Sequence, residues 1–219
     1  MIEKNELKYW LAWNRVKEIG PIRFVNLIKH FSSLEEAWKK SPELENIREI
    51  LHIGQDTWLT IKSEKQKIDP DMELAFLNKW QVKVITMNDE GYPLLLKNIY
   101  DPPPIIYYRG NFIEMMGSKK AIAIVGSRKA TYYGKKIARE IALDLGSRNY
   151  IVISGLARGI DTNAHLGSLD AEGETIAVLG CGLDRIYPAE NKQLAARISK
   201  SGALITEFPV YTKPQAGNF

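Results

Sequence analysis

Three short segments of this 219-residue chain set glycine beside groups able to hold an anion: Val125-Gly126-Ser127-Arg128, Ser154-Gly155-Leu156-Ala157-Arg158-Gly159-Ile160-Asp161 and Leu179-Gly180-Cys181-Gly182. Glycine permits a positive φ or a close backbone approach. A helix that starts just beyond such a turn aims unpaired amides and a partial positive charge at whatever sits there. Ser127 adds a hydroxyl donor, and Arg128 and Arg158 add forked guanidinium groups matched to phosphate oxygens. The expected chemistry is phosphate binding by Gly126, Ser127 and Arg128 in one loop and by Gly155, Ala157, Arg158 and Gly159 in the next.

Other chemistries fit less well. Gly180-x-Gly182 is part of a dinucleotide fingerprint, but Arg185 occupies its third glycine position and no suitable acid closes the pattern on the first unit. His165 follows Asp161 by about one helical turn, which suits either a relay or a helix-packing residue, and no serine or cysteine nucleophile can be placed beside it. Asp161 is expected to cap its helix and order the glycine loop, Cys181 to be a small buried side chain, and Glu207 to sit just past a strand end. No acid–base pair emerges, so no catalytic residue is assigned. A single cysteine excludes an internal disulfide, and with three histidines no zinc-ligand spacing exists, so no structural metal is expected.

The loops need a scaffold, and the sequence from Lys119 onward supplies one in strict alternation. AIAIVG, YIVISG, ETIAVLG and ALITEFP read as buried strands; YGKKIAREIALDLGSRN, DTNAHLGSLDAEG and ENKQLAARISKSG read as helices, the first with Ile137, Ile141, Ala142 and Leu145 inward. Right-handed crossovers then give an α/β fold, a Rossmann-like, mostly parallel sheet with helices on both faces. Ligands of such sheets bind beyond the carboxyl ends of the strands, where the three glycine segments fall. Residues 1–66 read instead as an all-α helix-hairpin-helix domain. Gly20-Pro21 makes the turn, Phe24, Leu27, Ile28 and Phe31 line the next helix, and a weaker hairpin begins near Gly54. Such a turn can offer amides to a nucleic-acid phosphate, but Trp10, Trp13, Phe24, Phe31, Trp38 and Trp58 are more economically a core. Residues 67–219 form the second domain, opening with a connector (67–113) that carries the strand VKVITM and the extended run through Pro102-Pro103-Pro104.

Composition bounds the rest. With 45% hydrophobic and 26% charged residues the chain can bury a sizeable core and stay soluble. No apolar run approaches membrane-spanning length, and the charged start does not suit a signal peptide, so the expected location is cytoplasmic. The net charge of +4 belongs to the second half: residues 1–110 hold 16 basic and 16 acidic side chains, residues 111–219 hold 14 and 10. Residues 119–139 contain seven Lys or Arg and no acid, a run suited to an anionic partner or to a solvated helix face. Lys129, Lys135, Lys136, Lys192 and Lys213 are placed to guide a polyanion.

The segments GSRKATYYG, SGLARGIDTNAH, TIAVLGCGLDRIYPAEN and GALITEFP, in this order, resemble the DNA-processing protein A family, also called DprA or Smf. The likeness extends upstream through GYPLLLKNIYDPPPIIYYRGN, and the amino-terminal helices are similar to the family's sterile-alpha-motif-like domain. The resemblance implies a cytosolic, non-enzymatic protein that needs no cofactor, binds single-stranded DNA, shields incoming strands in natural transformation and helps load the RecA recombinase. It places DNA contacts on Gly126, Ser127, Arg128 and Gly155 to Gly159, and a stacking aromatic on Phe219. The family follows that aromatic with an Arg-Asn-Arg segment and with strands and a helix that complete the sheet and supply much of a homodimer interface; the sequence stops at Phe219, before them. The alternative is a nucleotide-binding or nucleotide-hydrolysing enzyme using the same phosphate site. A second alternative makes the helical half a docking module for a protein partner.

Overall fold

The computed structural model describes residues 4–41, 46–116 and 120–218. Two compact units are present, Met1–Ile106 and Tyr107–Phe219. The first opens with the helices α1 (Lys4–Arg15), α2 (Pro21–His30), α3 (Leu34–Lys40), α4 (Ile47–Leu51), α5 (Gln55–Lys65) and α6 (Pro70–Trp80). The hairpin turn between α1 and α2 has extended Gly20 as N-cap and Pro21 as first helical residue, where its preset φ and missing N–H cost nothing. Gly54 caps α5 in nearly the same conformation. Phe24, Leu27, Trp10, Trp13 and Trp58 are buried, while Phe31 and Trp38 are half-buried. The helical body runs past residue 66 because α6 is tied back to α1 by Lys8–Asp71 at 2.8 Å and by an Arg15–Glu73 ion pair.

One charge is buried among these aromatic rings. Lys65 Nζ donates to the carbonyl of Trp38 (2.8 Å) and to Ser41 Oγ (2.7 Å), and lies 4.5 Å and 4.7 Å from the ring centres of Trp13 and Trp38. Burial, aided by nearby Lys62, pushes its pKa down to about 7.

After α6 come β1 (Lys83–Thr86), the short α7 (Leu94–Lys97) and β2 (Ile105–Gly110), which crosses the division between the units. The second unit continues with α8 (Phe112–Met116), β3 (Ala121–Ala123), α9 (Tyr132–Ser147), β4 (Ile151–Ser154), α10 (Ile160–Asp170), β5 (Thr175–Val178), a 3₁₀ turn (Ala189–Asn191), α11 (Lys192–Ser201), β6 (Ala203–Thr206) and a last 3₁₀ turn (Ala216–Asn218). The sheet has the order β1-β2-β6-β5-β4-β3. Strands β3 to β6 pair parallel, in register Ile122↔Val152, Ile153↔Ile176 and Ala177↔Leu204, and β2 pairs antiparallel with β6 through Tyr107↔Thr206. This is the mixed, mostly parallel α/β sheet that the alternation of elements requires, with helices on both faces.

Two packing details depart from the sequence reading. AIAIVG forms a strand only over Ala121–Ala123, and all three residues are exposed, since β3 is the last strand of the sheet. Helix α9 buries Ala138, Ala142 and Gly146, and leaves Ile141 49% exposed. The reason lies on α10. A Cβ on Gly167 would collide with the carbonyl of Arg139, and one on Gly146 would sit 3.1 Å from Ala171 Cβ, so α9 and α10 meet almost backbone to backbone and the seam admits only small residues. His165, on α10, is wholly buried and packs as a core residue. Thr175 Oγ1 donates to the carbonyl of Val152 (2.6 Å), so His165 Nδ1–H donates to Thr175 Oγ1 (2.7 Å). Burial holds the ring's pKa down at about 3, which leaves it neutral and removes the relay reading.

The Lys65 environment gives a signed prediction. Its folded pKa lies below the 10.5 of the free side chain, so between about pH 7 and 10 the unfolded chain binds more protons, and stability rises with pH. Denaturant unfolding followed by tryptophan fluorescence should show the first unit, which holds all five tryptophans, gaining about 2 kcal/mol from pH 7.5 to 9.5. A Lys65→Met variant should lose that slope.

Candidate nucleic-acid interface

Strands β3 and β4 deliver their loops to the same end of the sheet, and one carboxylate joins the two. Asp161, buried near the start of α10, accepts from the amide of Gly126 through Oδ1 (3.3 Å), and from those of Gly155 (3.2 Å) and Ala157 (3.3 Å) through Oδ2. The loops also meet directly. The amide of Ile160 donates to the carbonyl of Ser127 (3.3 Å). Gly159, at φ +80°, passes so close that a Cβ would collide with that same carbonyl, and a Cβ on Gly126 would lie 2.7 Å from Ile160 Cγ1. Asp161 thus orders the glycine loop as expected, although Gly159 and not Asp161 is the N-cap of α10.

These contacts give the loop amides partners within the protein. The amides of Gly126, Gly155 and Ala157, offered above to a phosphate, already donate to Asp161, and the close approaches allowed by Gly126, Gly155 and Gly159 are to protein atoms. A second anion at those amides would face a buried carboxylate. Ser127 Oγ accepts from the amide of Lys129 (3.1 Å).

Arg158, too, is held by the protein itself. Its Nε and Nη2 make a bidentate pair with Glu190, at 2.6 Å and 2.7 Å. Asn191, the next residue and itself buried, donates to the carbonyl of Leu156 (2.8 Å) and to Thr162 Oγ1 (2.9 Å). The turn at Ala189–Asn191 is thereby fastened to the loop after β4. The hydrogen bonds from Arg158 hold the Glu190 carboxyl below its usual range. Sequence reading placed Glu190 and Asn191 merely at the start of a helix. The only available signal was an acid beside Lys192 on an otherwise basic rim, and nothing in the spacing names a partner 32 residues away.

What the rim presents outward is a set of long basic side chains. Arg128 and Lys129 are exposed on the first loop, and Lys192 is exposed at the start of α11. Lys213 is exposed in the segment after β6, which is held to the loop after β5 by the amide of Tyr211 on Asp184 (2.6 Å) and that of Gly182 on the Thr212 carbonyl (3.0 Å). Lys136 is loosely paired with Glu140 at 3.7 Å. Phe219 lies outside the described residues. Cys181 is buried, which pushes its thiol pKa up. Among the described residues no group of three or more His, Cys, Asp or Glu could hold a metal ion, and no helix is long and apolar enough to cross a membrane.

Residues 83–219, more than half of the chain, match the family model of DNA recombination-mediator protein A. The chain belongs to that family. It is similar to protein Smf of Synechocystis, with 40% identity over 220 residues, covering 98% of this chain and 54% of that protein; it therefore spans about half of that relative's length. Among solved DNA processing protein A structures, that from Streptococcus pneumoniae matches with a TM-score of 0.75 at 27% identity, over 96% of this chain and 71% of the other. The one from Helicobacter pylori, described for its single-stranded DNA binding mode, matches with a TM-score of 0.57 at 28% identity, over 64% and 61%.

Asp161 supplies a direct check. Asp161→Ala in this member of the recombination-mediator family strands three amides and should cost about 2–4 kcal/mol in the second unit. Hydrogen exchange should show protection lost first at Gly126, Gly155 and Ala157. Unchanged exchange at those amides would mean that the carboxylate does not fasten the loops.

Proposed function

We propose that the chain is a single-stranded DNA-binding protein, without catalytic activity or cofactor, whose contacts to the phosphates are made by side chains: Arg128 above all, with Lys129, Lys192 and Lys213 tracking the backbone. The observation that carries this reading is the pairing of a basic, exposed rim at the carboxyl ends of the parallel strands with loop amides already satisfied by Asp161. A mononucleotide enzyme would draw most of its phosphate affinity from those amides, whereas a strand threading past the rim needs only the long cations. Likeness to the Helicobacter pylori protein supports the same ligand. For the whole protein we extend the proposal to a cytoplasmic role in protecting incoming DNA during natural transformation, with RecA recombinase and a second copy of the chain as partners; family membership supports this wider reading.

Glu190 enters as a competitor. To reach Arg158, a phosphate must displace or share it with a carboxylate in good bidentate geometry. Binding of fluorescent oligonucleotides should be measured at several salt concentrations. Arg128→Ala should weaken binding by about 1 kcal/mol and lower the salt slope by roughly 0.7, while Glu190→Gln should tighten binding and steepen the slope by a similar amount. Affinity and slope indifferent to Arg128→Ala would overturn the assignment.

A further inference from the structure

Three aromatic side chains stand exposed in the second unit among the described residues: Tyr132 at 85%, Tyr133 at 72% and Tyr187 at 45%. Large rings left in water need a reason, and here all three lie beside the arginine-bearing loops. Tyr132 and Tyr133 open α9, four and five residues after Arg128, within the stretch of seven basic residues and no acid. Tyr187 stands two residues before the turn Ala189–Asn191, whose Glu190 pairs with Arg158.

The backbone beneath the tyrosine pair is fixed. Thr131 caps α9, its Oγ1 accepting from the amide of Gly134 (3.1 Å), and a Cβ on Gly134 would lie 3.6 Å from Ile160 Cδ1 of the neighbouring loop. The rings are thus presented from a capped helix start. Binding of single strands combines a cationic track for phosphates with aromatic faces on which unpaired bases stack, with little dependence on sequence.

We propose that Tyr132, Tyr133 and Tyr187 form a base-stacking platform, each ring taking an unpaired base while the neighbouring cations take the phosphates. The proposal deepens the single-stranded DNA reading and rests on it. It adds selectivity: bases paired inside a duplex cannot reach the rings, so the tyrosines distinguish single from double strands where the cations alone do not.

The test compares a thymidine homopolymer with an abasic strand carrying the same number of phosphates, on the full chain. The unsubstituted chain should bind the thymidine strand more tightly. Combined Tyr132→Ala, Tyr133→Ala and Tyr187→Ala substitution should weaken thymidine binding by about fivefold to a hundredfold per stacked base and leave abasic binding unchanged. The matching Phe substitutions, which keep the rings, should retain thymidine binding within about threefold. Equal losses on both strands, or no loss on either, would overturn the platform. Arg128→Ala separates the two readings, since it should weaken both strands alike. If the tyrosine changes do nothing while Arg128→Ala weakens binding, the platform alone falls; if the unsubstituted chain binds neither strand, both readings fall.

Discussion

The buried carboxylate of Asp161 ties together two loops that otherwise meet only where Ile160 and Gly159 approach Ser127. Each loop follows a different strand and enters a different helix, and on its own would leave several amides without acceptors. Three of those amides converge on Asp161, and a charged acceptor makes each bond stronger than a neutral one. The glycines then take their meaning from this arrangement. Gly155 leaves room for the carboxylate, Gly126 for Ile160, and Gly159 for the carbonyl of Ser127. The rim cations inherit their positions from this fastening, because Arg128 follows one loop and Arg158 stands within the other.

The same arrangement changes what kind of anion site this can be. Glycine-rich turns at helix starts commonly cradle phosphate with backbone amides. Here the protein's own carboxylates sit where a ligand's charges would sit, Asp161 on the amides and Glu190 on Arg158. The positive charge that the rim exposes is therefore peripheral and spread over several side chains. Such a surface suits an extended polyanion better than a compact one, and its attraction is strongly screened by salt.

Much of this was legible in the sequence because it follows from period and order. The alternation of apolar runs with amphipathic stretches yields the parallel strands β3 to β6 and helices α9 to α11, and Gly20-Pro21 marks the start of α2. Asp161 could be seen ordering its own loop, six residues from Gly155, but its bond to Gly126 depends on how two strands pair and is invisible to spacing. Arg158–Glu190 is hidden for the same reason. The exposure of Ile141 has another cause. Hydrophobicity pointed to Ile137, Ile141, Ala142 and Leu145; Ala142 is buried and Leu145 packs on the core, but the rest of the seam is decided by what α10 can accept, and Gly167 accepts only a small neighbour. Burial of AIAIVG was overstated because one-dimensional patterning does not show which strand ends the sheet.

That seam bears on the cost of binding. With Gly167 against the Arg139 carbonyl and Gly146 against Ala171, the two helices share a boundary without long side chains that could change rotamer, so neither can slide on the other without backbone collision. The spacing of the two loops is consequently set before any ligand arrives, and little backbone entropy remains to be lost on association. A single added methyl at Gly167, far from the rim cations, would pry the helices apart and carry one loop away from its neighbour. The geometry of recognition is in this sense stored in the absence of side chains one layer below it.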